Sequence, residues 1–71
     1  MYILQEIQTS GSSTALVPAR VFADRNEAES EYHLALSYAA TSEVTVHTVM
    51  LYDEHGNVVR REYYEHLPPE A

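Results

Sequence analysis

Only one stretch of this 71-residue chain carries helical periodicity, and a single helix limits what the rest can become. Ala28, Tyr32, Ala35, Leu36 and Ala39 fall at i, i+4, i+7, i+8 and i+11, an apolar stripe along one face. Asp24 stands ahead of it as an N-cap, its carboxylate suited to accept orphan backbone N–H groups, with Glu27 three residues on as a capping-box partner. Glu27, Glu29 and Glu31 set negative charge near the positive end of the helix dipole. The helix is expected to end near Thr41 or Ser42, where β-branched and hydroxyl residues take over. Its small side chains let it lie close to a sheet. It can shelter only one face of that sheet.

The remaining apolar residues follow strand patterns. Tyr2 to Thr9 alternates with period two, Ile3 and Ile7 pointing one way and Leu4, Glu6 and Gln8 the other. The Ser/Gly-rich run from Ser10 to Thr14 reads as a flexible loop spanning residues 10–18, with a short extended piece from Ala19 to Ala23 after Pro18. Val44 to Tyr52 and Val58 to Glu65 are rich in β-branched and aromatic residues and form a C-terminal β-hairpin around Asp53-Glu54-His55-Gly56. Asp first and Gly fourth suit a type I turn with a glycine bulge. Asp53 then pairs with Asn57, which sets Leu51 opposite Val59, Val49 opposite Arg61 and His47 opposite Tyr63. Pro68-Pro69 ends the strand and leaves residues 67–71 as a tail. The expected fold is one α+β domain over residues 1–71, of order β-α-β-β, its helix packed on a three- to four-stranded, mainly antiparallel sheet.

A half-solvated hairpin under one helix should show one apolar and one polar face. Here both faces carry apolar groups: Val46, Met50, Tyr52, Val58 and Tyr64 on one, Val49, Leu51, Val59 and Tyr63 on the other. A monomer leaves one set in water, and an apolar patch of several hundred Å² marks an association surface. Burying about 400 Å² more per chain contributes on the order of 10 kcal/mol before association costs, whereas a core this small supplies only about 3–5 kcal/mol. A homo-oligomer follows, most simply a two-fold dimer joined by sheet faces or edge strands. Leu4, Val49, Leu51, Val59 and Tyr63 are the candidate interface residues.

Charge and composition set several functions aside. Four arginines, no lysine and eleven acidic residues give a net charge of −7, which disfavours binding to nucleic acid or to anionic membrane surfaces. Presenting those carboxylates as a nucleic-acid mimic would need them ranked along one surface; they are scattered instead over the helix start, the turn and the last strand. With no cysteine there is no disulfide, thiolate nucleophile or Cys-ligated metal. The first residues lack the basic and long apolar stretches of a secretion signal, and nothing approaches 18 consecutive apolar residues, so a cytoplasmic location is expected.

No constellation of residues spells a reaction. Glu29 and His33 share a helix face, but two ligands are not a metal site. The serines have no nucleophile-elbow context, and the two glycines lie too far apart for a phosphate loop. His47 opposite Tyr63, with Arg61 and Glu65 nearby, could form a small polar cluster or an acid–base pair. Six tyrosines against one phenylalanine and no tryptophan suit surfaces that bury a ring and keep its hydroxyl wet. Arg60, Arg61, Tyr63, Tyr64 and His47 are therefore the candidate partner- or ligand-binding residues. No metal, cofactor or catalytic residue is expected.

The stretches Asn26 to His33, Val44 to Met50 and Asp53 to Val59, together with Glu62-Tyr63-Tyr64-Glu65-His66, resemble small proteins of unknown function encoded by phages, prophages and mobile elements of gut Firmicutes. The resemblance implies a bacterial host cell and action on a host or phage protein, as a defence inhibitor or an accessory factor. A small acidic homo-oligomeric binding protein is thus expected. The alternative is a small-ligand binder, such as a sponge for a signalling nucleotide, with its pocket at the subunit interface.

Overall fold

The structure, a computed structural model, describes residues 1–66; the expected Pro68-Pro69 strand end and the tail from residue 67 lie outside the described residues. The elements run β1 (Tyr2–Ser10), β2 (Ser13–Phe22), α1 (Arg25–Ala40), β3 (Val46–Asp53) and β4 (Val58–Glu65). They form a four-stranded antiparallel sheet in the order β2-β1-β3-β4, with α1 across one face. The α+β class and the C-terminal hairpin are as expected. The order ββαββ is not, because residues 13–22 form a full strand.

The expected flexible loop at 10–18 is instead a tight hairpin. Ser10 pairs with Ser13, leaving Gly11-Ser12 as a two-residue turn. Gly11 takes φ 61° while Ser12 stays at negative φ, the pattern of a type II′ turn whose twist matches the flanking strands. The Thr9 and Thr14 hydroxyls stand 3.1 Å apart just inside it. Pro18 is accommodated because β2 is an edge strand and bulges there: Leu4 faces Arg20 and Glu6 faces Val17, so Pro18 and Ala19 stand together against Gln5.

The helix follows its sequence pattern closely. The Asp24 carboxylate accepts the Glu27 N–H at 3.2 Å, and the helix ends at Ala40 with Thr41 as C-cap. Ala28, Tyr32, Ala35 and Ala39 are buried, and Leu36 is partly so. The alanines let the helix backbone come close to Val49 and Leu51 of β3 and Leu4 of β1, which are fully enclosed. Burial raises the Tyr32 phenol above its ordinary value, aided by the Glu62 carboxylate, so the buried ring keeps its proton.

The β3–β4 turn forms as its sequence dictates. The Asp53 N–H donates to the Asn57 carbonyl at 3.0 Å, the Gly56 N–H donates to the Asp53 carbonyl at 3.0 Å, and Gly56 adopts φ 85°. The Asp53 carboxylate also accepts from the backbone N–H groups of His55 and Asn57. The pairing beyond it differs from expectation. Tyr52 faces Val58, but Leu51 faces Arg60, leaving Val59 as an extra residue in a bulge. Every later pair shifts by one, so His47 faces Tyr64 and Met50 faces Arg61. A one-residue slip exchanges the faces of all following side chains.

Candidate association surface

The bulge and the helix position together decide where each candidate residue lies. Leu4, Val49 and Leu51 are 0–2% exposed beneath the helix, and Val59 packs against the same core. Leu4, Val49 and Leu51 cannot form an interface between chains, because the chain's own helix already covers them, and Val59 is partly buried at the margin of the same core. Of the five expected interface residues only Tyr63 lies on the uncovered face, 52% exposed.

The binding candidates divide between the two sides. His47, Arg60 and Tyr64 lie on the helix side, Arg61 and Tyr63 on the other. His47 is 4% exposed, and its Nε2 stands 2.9 Å from Glu6 Oε1 on β1, a partner that sequence spacing did not indicate. Its Nδ1 has no partner among the described residues. Arg61 and Glu65 are not its neighbours, since they point away from the helix. The Tyr64 ring stacks on His66 with centroids 6.4 Å apart. The Arg60 guanidinium donates to Glu29, which also accepts from Arg25 at 3.0 Å. The hydrogen bond from Arg60, then that from Arg25, holds the Glu29 carboxyl below its ordinary value, and Glu29 in turn raises Arg60. Glu29 is therefore engaged by arginines rather than paired with His33. Among the described residues there is no group of three or more side chains able to hold a metal ion.

The helix-free face includes Val46, Met50, Tyr52 and Val58, which the alternation of the hairpin puts on one side, but of the expected interface residues only Tyr63. Ile3 and Ile7 of β1, Leu16 and Val21 of β2, Met50 and Tyr52 of β3 and Val58 of β4 all point to this side. Leu16 is 67% exposed, Val21 59% and Val58 56%. Between them lies an open groove of about 370 Å³, lined by Gln5, Ile7, Leu16, Met50, Tyr52, Gly56 and Val58. No charged side chain lines it. The helix's outer surface exposes only the smaller pair Leu34 and Tyr38, four residues apart.

Charge follows the same division. Most of the described carboxylates lie on the helix, in the loops and turns, or on strand residues facing the helix. Across all four strands the uncovered face carries one acid, Glu65, and one base, Arg61. A chain of net charge −7 thus presents one nearly neutral, apolar surface.

No family model matches the chain, and no curated protein or solved structure matches it. Among the described residues no helix is long and apolar enough to cross a membrane.

Proposed function

We propose that this chain is a self-associating binding protein whose helix-free sheet face packs against the same face of a second copy. The observation that carries this reading is the neutrality of that face on a strongly acidic chain. Two copies meeting through the helix side would oppose rows of carboxylates; meeting through the open face they oppose Ile, Leu, Met, Tyr and Val. Four strands about 4.8 Å apart and about 27 Å long give a face of about 500 Å² in projection. Pleated side chains raise the accessible area toward the roughly 800 Å² per partner of a standard interface. Covering it on both copies contributes on the order of 15–20 kcal/mol against association costs of about 4–15, and the middle of the two ranges leaves about 8 kcal/mol, the value of a micromolar Kd.

The assembled module, in keeping with the resemblance to phage- and mobile-element-encoded proteins, acts by binding a host or phage protein, as a defence inhibitor or accessory factor. The nucleotide-sponge alternative has less support. Its expected ligands, His47, Arg60, Arg61 and the tyrosines, are split between two faces, and the groove has no cation to meet a phosphate. Sedimentation equilibrium across micromolar concentrations tests the central claim. Species larger than one chain are expected, and a single 8.1 kDa species throughout would refute it.

A further inference from the structure

Among the described residues the sheet also has two unpaired edges, β2 and β4, and they are not alike. β2 carries Pro18 and a bulge near its middle, both of which hinder pairing with another strand. From Arg60 to Glu65, β4 has neither. The His66 N–H donates to the Thr45 carbonyl at 2.7 Å, so the backbone of His66 points toward β3. By strand alternation so do the backbones of Tyr64 and Glu62. The Tyr63 N–H instead donates to its neighbour's carboxylate, Glu62 Oε1, at 3.1 Å. Arg61, Tyr63 and Glu65 therefore turn their backbone N–H and C=O groups to the outside.

We infer that β4 pairs antiparallel with β4 of a second copy, about a two-fold axis centred on Tyr63. A two-fold axis normal to the sheet keeps each face on its own side, so facing residues must come from one face. Backbone bonding allows the axis on an outward-turned residue, in a hydrogen-bonded pair, or on an inward-turned one, in a non-hydrogen-bonded pair flanked by bonded ones. Centred on Arg60 or Glu62 it opposes like charges, and centred on Tyr64 it sets Glu65 against Tyr63 and leaves Arg61 and Glu65 without each other. Centred on Arg61 it opposes two arginines, and centred on Glu65 it opposes two glutamates. Like charges directly across a strand pair are unfavourable. Centred on Tyr63 it places Arg61 against Glu65 of the second copy, twice, and the two Tyr63 rings together, each Tyr63 N–H exchanging its exposed bond to Glu62 Oε1 for the Tyr63 carbonyl of the second copy. On the helix side it sets Glu62 against Tyr64 of the second copy, with no like-charge contact. Charged residues ordinarily guard an edge; here they complement themselves in one register. This inference stands on the edge alone and does not depend on the face contact. With both contacts the closed assembly has four copies in D2 symmetry, two eight-stranded sheets packed face to face.

Charge reversal tests the register, because Arg61 and Glu65 are exposed and engage no partner in the described hydrogen bonds. Arg61→Glu turns two attractive pairs into two repulsive ones and should weaken the edge contact about ten-fold or more. In sedimentation velocity the wild-type chain is expected to form four copies, Arg61→Glu two, and the double variant Arg61→Glu/Glu65→Arg four again. Leu16→Glu, which disturbs the face but not the β4 edge, should leave a two-copy species that Arg61→Glu then dissociates. Circular dichroism should show each variant folded. The edge inference fails if Arg61→Glu assembles like the wild type, or if the double variant does not recover. If Leu16→Glu changes nothing while Arg61→Glu halves the assembly, the edge stands and the face contact falls.

Discussion

Replacing Leu16 by glutamate should separate the stability of the fold from the stability of the assembly. Leu16 lies on edge strand β2, 67% exposed, beside a groove and not beneath the helix. Most of its surface is already in water within one chain, so the folding free energy should change by no more than about 0.5 kcal/mol. Association is another matter. Fully burying a leucine contributes about 1.5–3 kcal/mol, and about two thirds of that remains to be gained when the face is covered. Two copies contribute twice, so removing both side chains should weaken the face contact by about 2–4 kcal/mol, a factor of about 30–1,000 in Kd. Two carboxylates forced into the contact add to this. The matched control is Leu51→Ala, at a side chain with no exposure, which should destabilise the fold itself by about 2–5 kcal/mol. Sedimentation equilibrium gives the association constant, and urea unfolding at a concentration where the chain is dispersed gives the folding free energy. The reasoning fails if Leu16→Glu associates like the wild type, or if it unfolds as readily as Leu51→Ala.

Three further predictions concern the scaffold. Asp24→Ala removes the side-chain acceptor for the Glu27 N–H and should lower stability by about 1 kcal/mol in urea unfolding, with Asp24→Asn close to wild type. Gly56→Ala has open space for the new methyl group but must hold φ 85°, so backbone strain alone should cost about 1–2 kcal/mol, read from the same unfolding midpoint. Asp53, held below its ordinary carboxyl value by the Asn57 backbone N–H and then by the Asn57 side chain and the His55 N–H, should stabilise the folded state at any pH above that ordinary value. Glu29, lowered by Arg60 and Arg25, should act in the same direction. Both contributions vanish as the pH falls from the ordinary carboxyl range through the depressed folded-state values, because the unfolded chain takes up the protons first. An unfolding midpoint measured from pH 5 down to acid conditions should decline, and should decline less in Asp53→Asn; an unchanged slope in that variant would count against the turn's role.

Legibility in the sequence tracked how local the cause was. The helix, its Asp24 cap and its end beside Thr41 depend on residues within a few positions of one another, and the structure has them as expected. The same holds for the Asp53–Asn57 turn. Strand β2 carries no apolar alternation, because both sides of this edge strand are largely exposed, and Ser13 and Thr14 look like loop residues until Gly11-Ser12 is recognised as a two-residue turn. The interface candidates were misplaced for a different reason. Val59 gives no local sign of being a bulge, yet that one extra residue exchanged Tyr63 with Tyr64 and Arg60 with Arg61 between faces.

The amino-acid order alone determined that the chain has apolar residues for two sheet faces and a single helix to cover them, since both follow from counting periodic positions. Which face the helix takes is a tertiary decision. It turns on the match between the alanine stripe of α1 and the close-packed Leu4, Val49 and Leu51, and on the position of one bulge between β3 and β4. The first is settled by contacts between segments more than 20 positions apart, as with Tyr32 on α1 and Leu4 on β1, and the bulge, although it lies within residues 51–60, has no residue in that stretch that marks which position is the extra one. The free, nearly neutral face exists because the helix chose the other one.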